Sequence, residues 1–264
     1  MKLRALFANP TIPGALRVPE ITVYFWLIKG LSTAMGEATS DFLVRILNPV
    51  AAVGLGFLGF VAALIIQFST RRYRAWSYWL AVVMVGVFGT MAADVLHVGF
   101  RVPYIASSTF YALVLIAVFV TWNHYEKTLS IHTINTPRRE AFYWATVVAT
   151  FALGTAAGDL TATTLHLGYL TSAVLFAAII LIPALGFRLF GWNAIFCFWF
   201  AYVVTRPIGA SLADWAGKAR NLSGLGWGDG WVALTLTGAI ALLVGFLSVT
   251  GADVQLEQRH HRVH

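Results

Sequence analysis

The sequence predicts an all-α integral membrane protein with eight transmembrane helices, arranged as four parallel tandem two-helix repeats around a pseudo-fourfold axis. Three observations lead to this prediction. The 264-residue chain is 59% hydrophobic and only 11% charged, whereas soluble domains are roughly a quarter charged. Apolar runs of about 20 residues, long enough to cross a bilayer, recur along the chain. A pattern of tryptophan, glycine and aspartate also recurs four times.

The apolar runs define eight spans that group in pairs. The spans cover roughly residues 20–44, 50–69, 75–98, 102–122, 140–166, 168–188, 192–216 and 229–250. We therefore predict a single transmembrane domain over residues 1–264, with repeat units at about 18–70, 71–123, 136–190 and 191–251. Residues 252–264 form a cytoplasmic tail in this prediction.

Each odd-numbered span carries the repeated pattern, in which glycine and aspartate follow the tryptophan at fixed distances. Four of the six aspartates in the chain belong to it. Small residues allow membrane helices to approach closely, so we expect the four glycines to lie at helix crossings. The four sets are Trp26, Gly36 and Asp41; Trp79, Gly89 and Asp94; Trp144, Gly154 and Asp159; and Trp199, Gly209 and Asp214.

The distribution of basic residues predicts the orientation, because cytoplasmic loops of membrane proteins are enriched in lysine and arginine. One side of the membrane collects 12 of the 18 basic residues and the other side four. This places both termini in the cytoplasm. The larger set is Lys2, Arg4, Arg17, Arg71, Arg72, Arg74, Lys127, Arg138, Arg139, Arg188, Arg259 and Arg262, and the smaller is Arg45, Arg101, Lys218 and Arg220.

Each unit contains two spans, so all four units enter the membrane in the same direction and their aspartates lie at a similar depth. Fifteen residues of helix span about 22 Å, which places the tryptophans toward the cytoplasm and the aspartates in the outer half of the bilayer. Carboxylates in a membrane span are costly and usually face an interior or a water-filled cavity. We therefore expect a ring of carboxylates that takes up protons or binds a cation. The alternative is that each aspartate caps or bonds within its own hairpin.

The position four residues before each aspartate lies on the same helical face. It holds Glu37, Thr90, Thr155 and Ala210 in the four units. Carboxylates and hydroxyls suit hard or borderline ions such as manganese or magnesium, or a proton relay, better than copper(I). Asp41, Asp94, Asp159 and Asp214, with Glu37, Thr90 and Thr155, are therefore the predicted ion-binding and transport residues.

Two histidines and two cations complete the predicted site. His97 and His166 follow aspartates by three and seven residues on the expected helical face, so they are candidate metal ligands, with interfacial placement as the alternative. Arg206 precedes Pro207 within a span and is predicted to be a counter-ion of the carboxylate ring, or else a static salt bridge. Lys29 lies nearer the cytoplasmic end, where a lysine commonly extends its amine to the interface.

These features favour a cation transporter or exporter whose cargo is a divalent metal, such as manganese, exchanged for protons. A membrane enzyme or redox protein that binds metal or haem at His97 and His166 is an alternative class, although no catalytic motif supports it. A structural or regulatory membrane protein is a third. The expected partners are the lipid bilayer and a small cation, not nucleic acid, because the basic residues follow the loops. Self-association is left open, and no cofactor is predicted beyond a divalent metal ion.

The segment from Val18 to Trp26, followed by Met35-Gly36-Glu37-Ala38-Thr39-Ser40-Asp41, resembles a known family. Its members are bacterial inner-membrane proteins of four tandem two-span repeats with a characteristic tryptophan, catalogued as a repeat of unknown function (DUF347). The resemblance covers nearly the whole chain and implies the fold rather than an activity. The fourth unit departs from the pattern, with Ala210 in place of Glu or Thr and with the additional Arg206-Pro207, which implies an asymmetric site.

Overall fold

The computed structural model describes residues 16–254, and all regular secondary structure within that range is helical. Seven helical segments are long and apolar enough to cross a membrane, which supports a multi-pass membrane protein. The helices are α1 (Val23–Ile46), α2 (Pro49–Ser69), α3 (Ala75–Asp94), α4 (Tyr104–Glu126), α5 (Pro137–Asp159), α6 (Tyr169–Ile179), α7 (Leu181–Phe190), α8 (Ala194–Gly217) and α9 (Asp229–Thr250). Helices α6 and α7 together form one apolar segment, Tyr169–Phe190.

Helix α1 is as long as the others but is not among the seven apolar segments. Its sequence includes Lys29, Glu37, Asp41 and Arg45, which lower its mean hydropathy. The polar side chains at Lys29 and Glu37 are buried against other helices. A polar helix is acceptable inside a membrane when its polar groups find protein partners, so α1 belongs to the interior of the bundle.

Local sequence sets the start of several helices. Asn48 and Thr136 accept hydrogen bonds from the first turns of α2 and α5, and each is followed by proline at the first helical position. The Asn193 side chain likewise accepts hydrogen bonds from the first turn of α8. Such side chains satisfy backbone amides that have no partner within the helix, and proline at this position loses no hydrogen bond.

The bundle has two distinct ends. The backbone amide of Glu20 donates to the carbonyl of Asp253, and that of Arg17 donates to the carbonyl of Ile134. These bonds gather the first and last described segments at one end, here called the terminal end. Helices α1, α3, α5 and α8 all run from the terminal end to the opposite end, here called the far end.

The terminal end is closed by a buried polar network. Arg17 Nη1 lies 2.5 Å from Glu140 Oε2, and Gln67 Nε2 donates to the other oxygen of Glu140 at 2.9 Å. Ser77 donates to Gln67 at 3.0 Å. Arg17 is therefore buried rather than a free loop charge. Residues 252–254 of the predicted tail are also packed here, with Asp253 only 1% exposed. The rest of the tail, and the predicted loop residues Lys2, Arg4, Arg259 and Arg262, lie outside the described residues.

The four repeated glycines lie where the pattern-bearing helices cross. Each glycine faces the next helix of this set, in the order α1, α3, α5, α8 and back to α1. A methyl group added at any of them would come within 3.0 Å of that neighbour, which explains the requirement for glycine. The facing pairs are Gly36 with Gly86, Gly89 with Phe151, Gly154 with Arg206, and Gly209 with Thr33.

Candidate functional site

All four repeated aspartates line one cavity. It has a volume of about 730 Å³ and also reaches Glu37 and Lys218. Its lining includes the exposed far-end residues Arg45 and Phe100, so it extends to the loops at that end. Val50, Val53 and Val98 contribute to an apolar wall. We call this space the aspartate cavity.

Three of the cavity carboxylates lie close enough to share one cation. Oxygen atoms of Glu37, Asp41 and Asp214 all lie within 4.8 Å of one another. Hard divalent cations bind carboxylate oxygens at about 2.0–2.6 Å, so one ion between such oxygens could contact all three. Among the described residues this is the one cluster of at least three acidic, histidine or cysteine side chains with that spacing.

Lys218 is the counter-ion of two aspartates, and the sequence reasoning missed it. Its ammonium forms an ion pair with Asp41, and its Nζ lies 3.6 Å from Asp214 Oδ1. Burial lowers the pKa of Lys218, but Asp214 and Asp41 outweigh that effect and raise it above its ordinary value. The spacing of Lys218 four residues after Asp214, one helical turn away, is the signal that could have revealed this pair. Asp94 and Asp159 form no ion pair within residues 16–254.

A second group, the arginine cluster, lies directly beyond the cavity toward the terminal end. It consists of Glu37, Thr90, Thr155 and Arg206, one residue from each pattern-bearing helix. Arg206 Nη2 lies 2.8 Å from Glu37 Oε2, and the same nitrogen donates to both threonine hydroxyls, at 2.8 Å for Thr155. Both hydroxyls donate to that carboxylate oxygen at 3.3 Å. The four side chains therefore form one hydrogen-bonded layer across the bundle.

The departure of the fourth unit accounts for this layer. Three units contribute an oxygen-bearing side chain at the position one turn before the aspartate, and the fourth has Ala210. Arg206, four residues earlier on α8, instead extends its guanidinium into the layer and also donates to the Thr33 carbonyl at 3.2 Å. Gly154 makes room for it, because a side chain there would clash with the Arg206 methylenes. Arg206 thus pairs with Glu37, and its closest carboxylate partner is not Asp214.

The two predicted histidine ligands lie outside the acidic cluster. His97 Nδ1 is 2.8 Å from the Val102 carbonyl, and its ring stacks on Tyr104. His166 is exposed, with a positive φ of 55°. Neither histidine lines the aspartate cavity.

A π-helical turn explains why the expected helical spacing failed for the histidines. It follows the aspartate at Val95–Gly99 and, in the next unit, at Leu160–Thr164. A π-turn is wider than an α-turn, so residues after Asp94 no longer share its face at intervals of three. Val98, one residue after His97, faces the cavity instead. Sequence periodicity carries no signal for such a turn.

Lys29 does not extend to the membrane interface, contrary to expectation. Its side chain is fully buried, and its Nζ lies 4.2 Å from the ring centres of both Phe151 and Tyr202. No carboxylate among residues 16–254 lies within ion-pair distance of the Lys29 amine. The Arg206 guanidinium carbon lies 5.0 Å from the same Phe151 ring centre.

Comparison with known families shows where the repeats lie in the chain. A family model described as Repeat of Unknown Function (DUF347) matches residues 77–128, 142–189 and 197–253. Each matched stretch contains one complete tryptophan, glycine and aspartate set, and together they cover more than half of the chain. Searches among curated proteins and among solved structures gave no match. The chain therefore belongs to the DUF347 repeat family.

Proposed function

We propose that this protein is a cation transporter of a bacterial inner membrane, and that a divalent metal such as manganese is its cargo. The observation that carries the proposal is the convergence of all four repeated aspartates on one cavity. Carboxylates bonded separately within their hairpins would instead suit a purely structural role. Asp94 and Asp159 line the cavity without an ion-pair partner among the described residues, which favours transport over that alternative.

The proposed frame is a pseudo-fourfold arrangement of the four repeat units, all crossing the membrane in parallel. Its support is the cyclic order of glycine contacts, in which each pattern-bearing helix meets the next and α8 returns to α1. Helix α1 takes part in this cycle, so we count it as the eighth membrane span. Parallel repeats of this kind are related by an axis along the membrane normal.

The proposed orientation has both termini in the cytoplasm, as the basic residues predict. The aspartate cavity then opens to the outer side, and the arginine cluster separates it from the cytoplasmic half. Transporters reach a central site alternately from the two sides of the membrane. The described conformation would be the outward-open one, with the arginine cluster as its closed gate.

The proposed cation ligands are Glu37, Asp41 and Asp214, with Asp94 and Asp159 completing the negative cavity. Lys218 and Arg206 now neutralise these carboxylates in part. An arriving cation competes with both basic side chains for the same oxygens. Binding to Glu37 weakens its bond to Arg206, and this loosening of the gate couples cation binding to opening toward the cytoplasm.

A thermal-shift titration of the purified protein against divalent ions, repeated across pH, tests the proposal. We expect stabilisation by one or more ions at neutral pH, lost in acid because protons compete for the carboxylates. Asp214→Asn should weaken this binding at least tenfold, whereas Glu126→Gln, which removes a carboxylate at the terminal end, should leave it unchanged. Wild-type protein that responds to no ion, or an equal response from Asp214→Asn, would overturn the proposed binding site.

A further inference from the structure

The second and third repeat units share a feature beyond the tryptophan, glycine and aspartate pattern. In both units the aspartate is followed by a π-helical turn and then, ten residues after the aspartate, by a tyrosine. The pairs are Asp94 with Tyr104 and Asp159 with Tyr169. Each tyrosine is the first residue of the next helix, α4 or α6. Two units therefore place a carboxylate and an aromatic ring at the same spacing.

The first and fourth units lack this feature. The residues ten positions after their aspartates are Ala51 and Gly224, and within residues 16–254 no π-turn follows Asp41 or Asp214. These two units instead supply the three clustered carboxylates and Lys218, which pairs with the two aspartates. The cyclic order of the helices places α1 beside α8 and α3 beside α5, so the aspartate cavity has two chemically different halves.

Both tyrosines belong to the wall of the cavity. Tyr104 and Tyr169 line it together with Asp94 and Asp159, and both tyrosines are half-buried. The His97 ring stacks on Tyr104, with ring centres 3.4 Å apart, which holds the Tyr104 ring in place. Tyrosines near the ends of membrane helices commonly anchor them in the lipid interface. That role does not require a position in the wall of an acidic cavity.

The cavity is larger and more apolar than a metal ion requires. Its volume is about 730 Å³, within the range of about 300–1,000 Å³ that is typical of sites for small organic molecules. Val50, Val53 and Val98 line it beside the two tyrosines. A divalent ion is bound through oxygen atoms and makes no use of aliphatic side chains. An organic cation uses both kinds of surface, because its charge pairs with carboxylates and its carbon atoms pack on aromatic rings.

We propose that the half of the aspartate cavity formed by the second and third units binds an organic ammonium ion. Asp94 and Asp159 pair with its charge, and its alkyl groups contact Tyr104 and Tyr169. Lys218 shows the same chemistry in the other half, where its alkylammonium side chain pairs with carboxylates. Among the described residues the second pair of aspartates has no ion-pair partner, so the ligand displaces no internal cation. This inference goes beyond the proposed metal site, because it rests on different residues and does not depend on transport.

Isothermal titration of the purified full-length protein with tetramethylammonium chloride tests the subsite. Sodium chloride at the same concentration is the reference for general ionic effects. We expect saturable binding of tetramethylammonium to the wild type. Asp94→Asn should weaken it by about fivefold or more, because one of the two facing charges is lost. Tyr169→Leu should weaken it to a similar degree, whereas Tyr169→Phe, which keeps the ring, should bind like the wild type.

Two further variants make the result decisive. Tyr125→Leu is the matched control, because Tyr125 is exposed near the other end of α4 and does not line the cavity, and it should bind like the wild type. Tyr104→Leu replaces Tyr169→Leu if that variant misfolds. Wild-type protein that binds tetramethylammonium no better than sodium, or wild-type affinity in Asp94→Asn or in the tyrosine-to-leucine variant, would overturn the inference. The thermal shift with divalent ions should persist in Tyr169→Leu, so a failed metal site would not be mistaken for a failed ammonium subsite.

Discussion

At the residue scale, the arginine cluster is a buried group whose side chains are hydrogen-bonded to one another. Arg206 is fully buried and lies against one carboxylate, two hydroxyls and a backbone carbonyl. A buried ion pair adds little net stability compared with apolar residues, but the loss of one partner leaves a buried charge uncompensated. The cluster is therefore sensitive to single substitutions.

Arg206→Met should destabilise the protein by about 3–5 kcal/mol, the usual cost of breaking a buried pair from one side. The reason is that Glu37 would keep its charge without a cationic partner. Unfolding of the detergent-solubilised protein measures the change. The double variant with Glu37→Gln should recover a large part of the loss, because no charge is then left unpaired. A double variant less stable than Arg206→Met alone would show that the ion pair between Arg206 and Glu37 does not stabilise the layer.

The Lys218 pair should have a defined pH dependence. Its folded-state pKa is raised above the ordinary value, so its contribution to stability is complete below the unfolded pKa of about 10.4 and is lost only as pH rises toward the folded pKa. We expect the difference in melting temperature between wild type and Lys218→Met to stay constant from about pH 6 to 9. A difference that disappears between pH 7 and 9 would contradict the assigned ion pairs.

At the element scale, the repeated glycines decide how closely the pattern-bearing helices approach. A Cβ at Gly36 would lie 2.7 Å from the carbonyl carbon of Gly86, so α1 and α3 would have to separate. Gly30 lies on the same helix and has nothing within 4 Å of the equivalent position. The two glycines thus form a matched pair in one helix.

Gly36→Ala should lower stability by about 1–3 kcal/mol through overpacking. Gly30→Ala should leave stability unchanged or raise it by up to about 1 kcal/mol, because alanine favours the helix. Thermal unfolding of the two variants side by side gives the comparison. Equal effects at the two positions would mean that helix propensity, and not the crossing, governs both.

The sequence predicted the helices well because apolar length is a strong signal, and most observed helix ends lie within a few residues of the predicted ones. A fixed offset from the aspartate also selected Glu37, Thr90 and Thr155 as ion-binding residues, a role that stays a prediction, and the sequence predicted Arg206 as a counter-ion of the carboxylates. That Arg206 joins these three side chains in one layer could not be predicted from the offset. Arg206 reaches them across helices, and its path depends on Gly154 on another helix. Likewise, the π-turns after Asp94 and Asp159 alter the helical face in a way that periodicity does not reveal.

At the scale of the whole molecule, three levels follow one another along the bundle. The aspartate cavity lies toward the far end, the arginine cluster closes it, and the buried Lys29 and Tyr202 pack together on the terminal side of that cluster. The four units share the tryptophan, glycine and aspartate pattern, and they differ in the charged side chains that they place beside the cavity. Glu37 adds an acid in the first unit, and Arg206 opposes it in the fourth. In the proposed function, this asymmetry gives the cavity one preferred place for a cation.

The most direct test of the central claim is manganese flux into proteoliposomes that contain the purified protein. We predict uptake above that of empty vesicles, an uptake reduced at least tenfold by Asp94→Asn combined with Asp159→Asn, and an unchanged uptake in Glu126→Gln. Within residues 16–254, these two aspartates line the cavity without ion pairs, so their loss should affect cation entry more than folding. Flux equal to that of empty vesicles, or flux that the double variant retains in full, would contradict a transport role for the aspartate cavity.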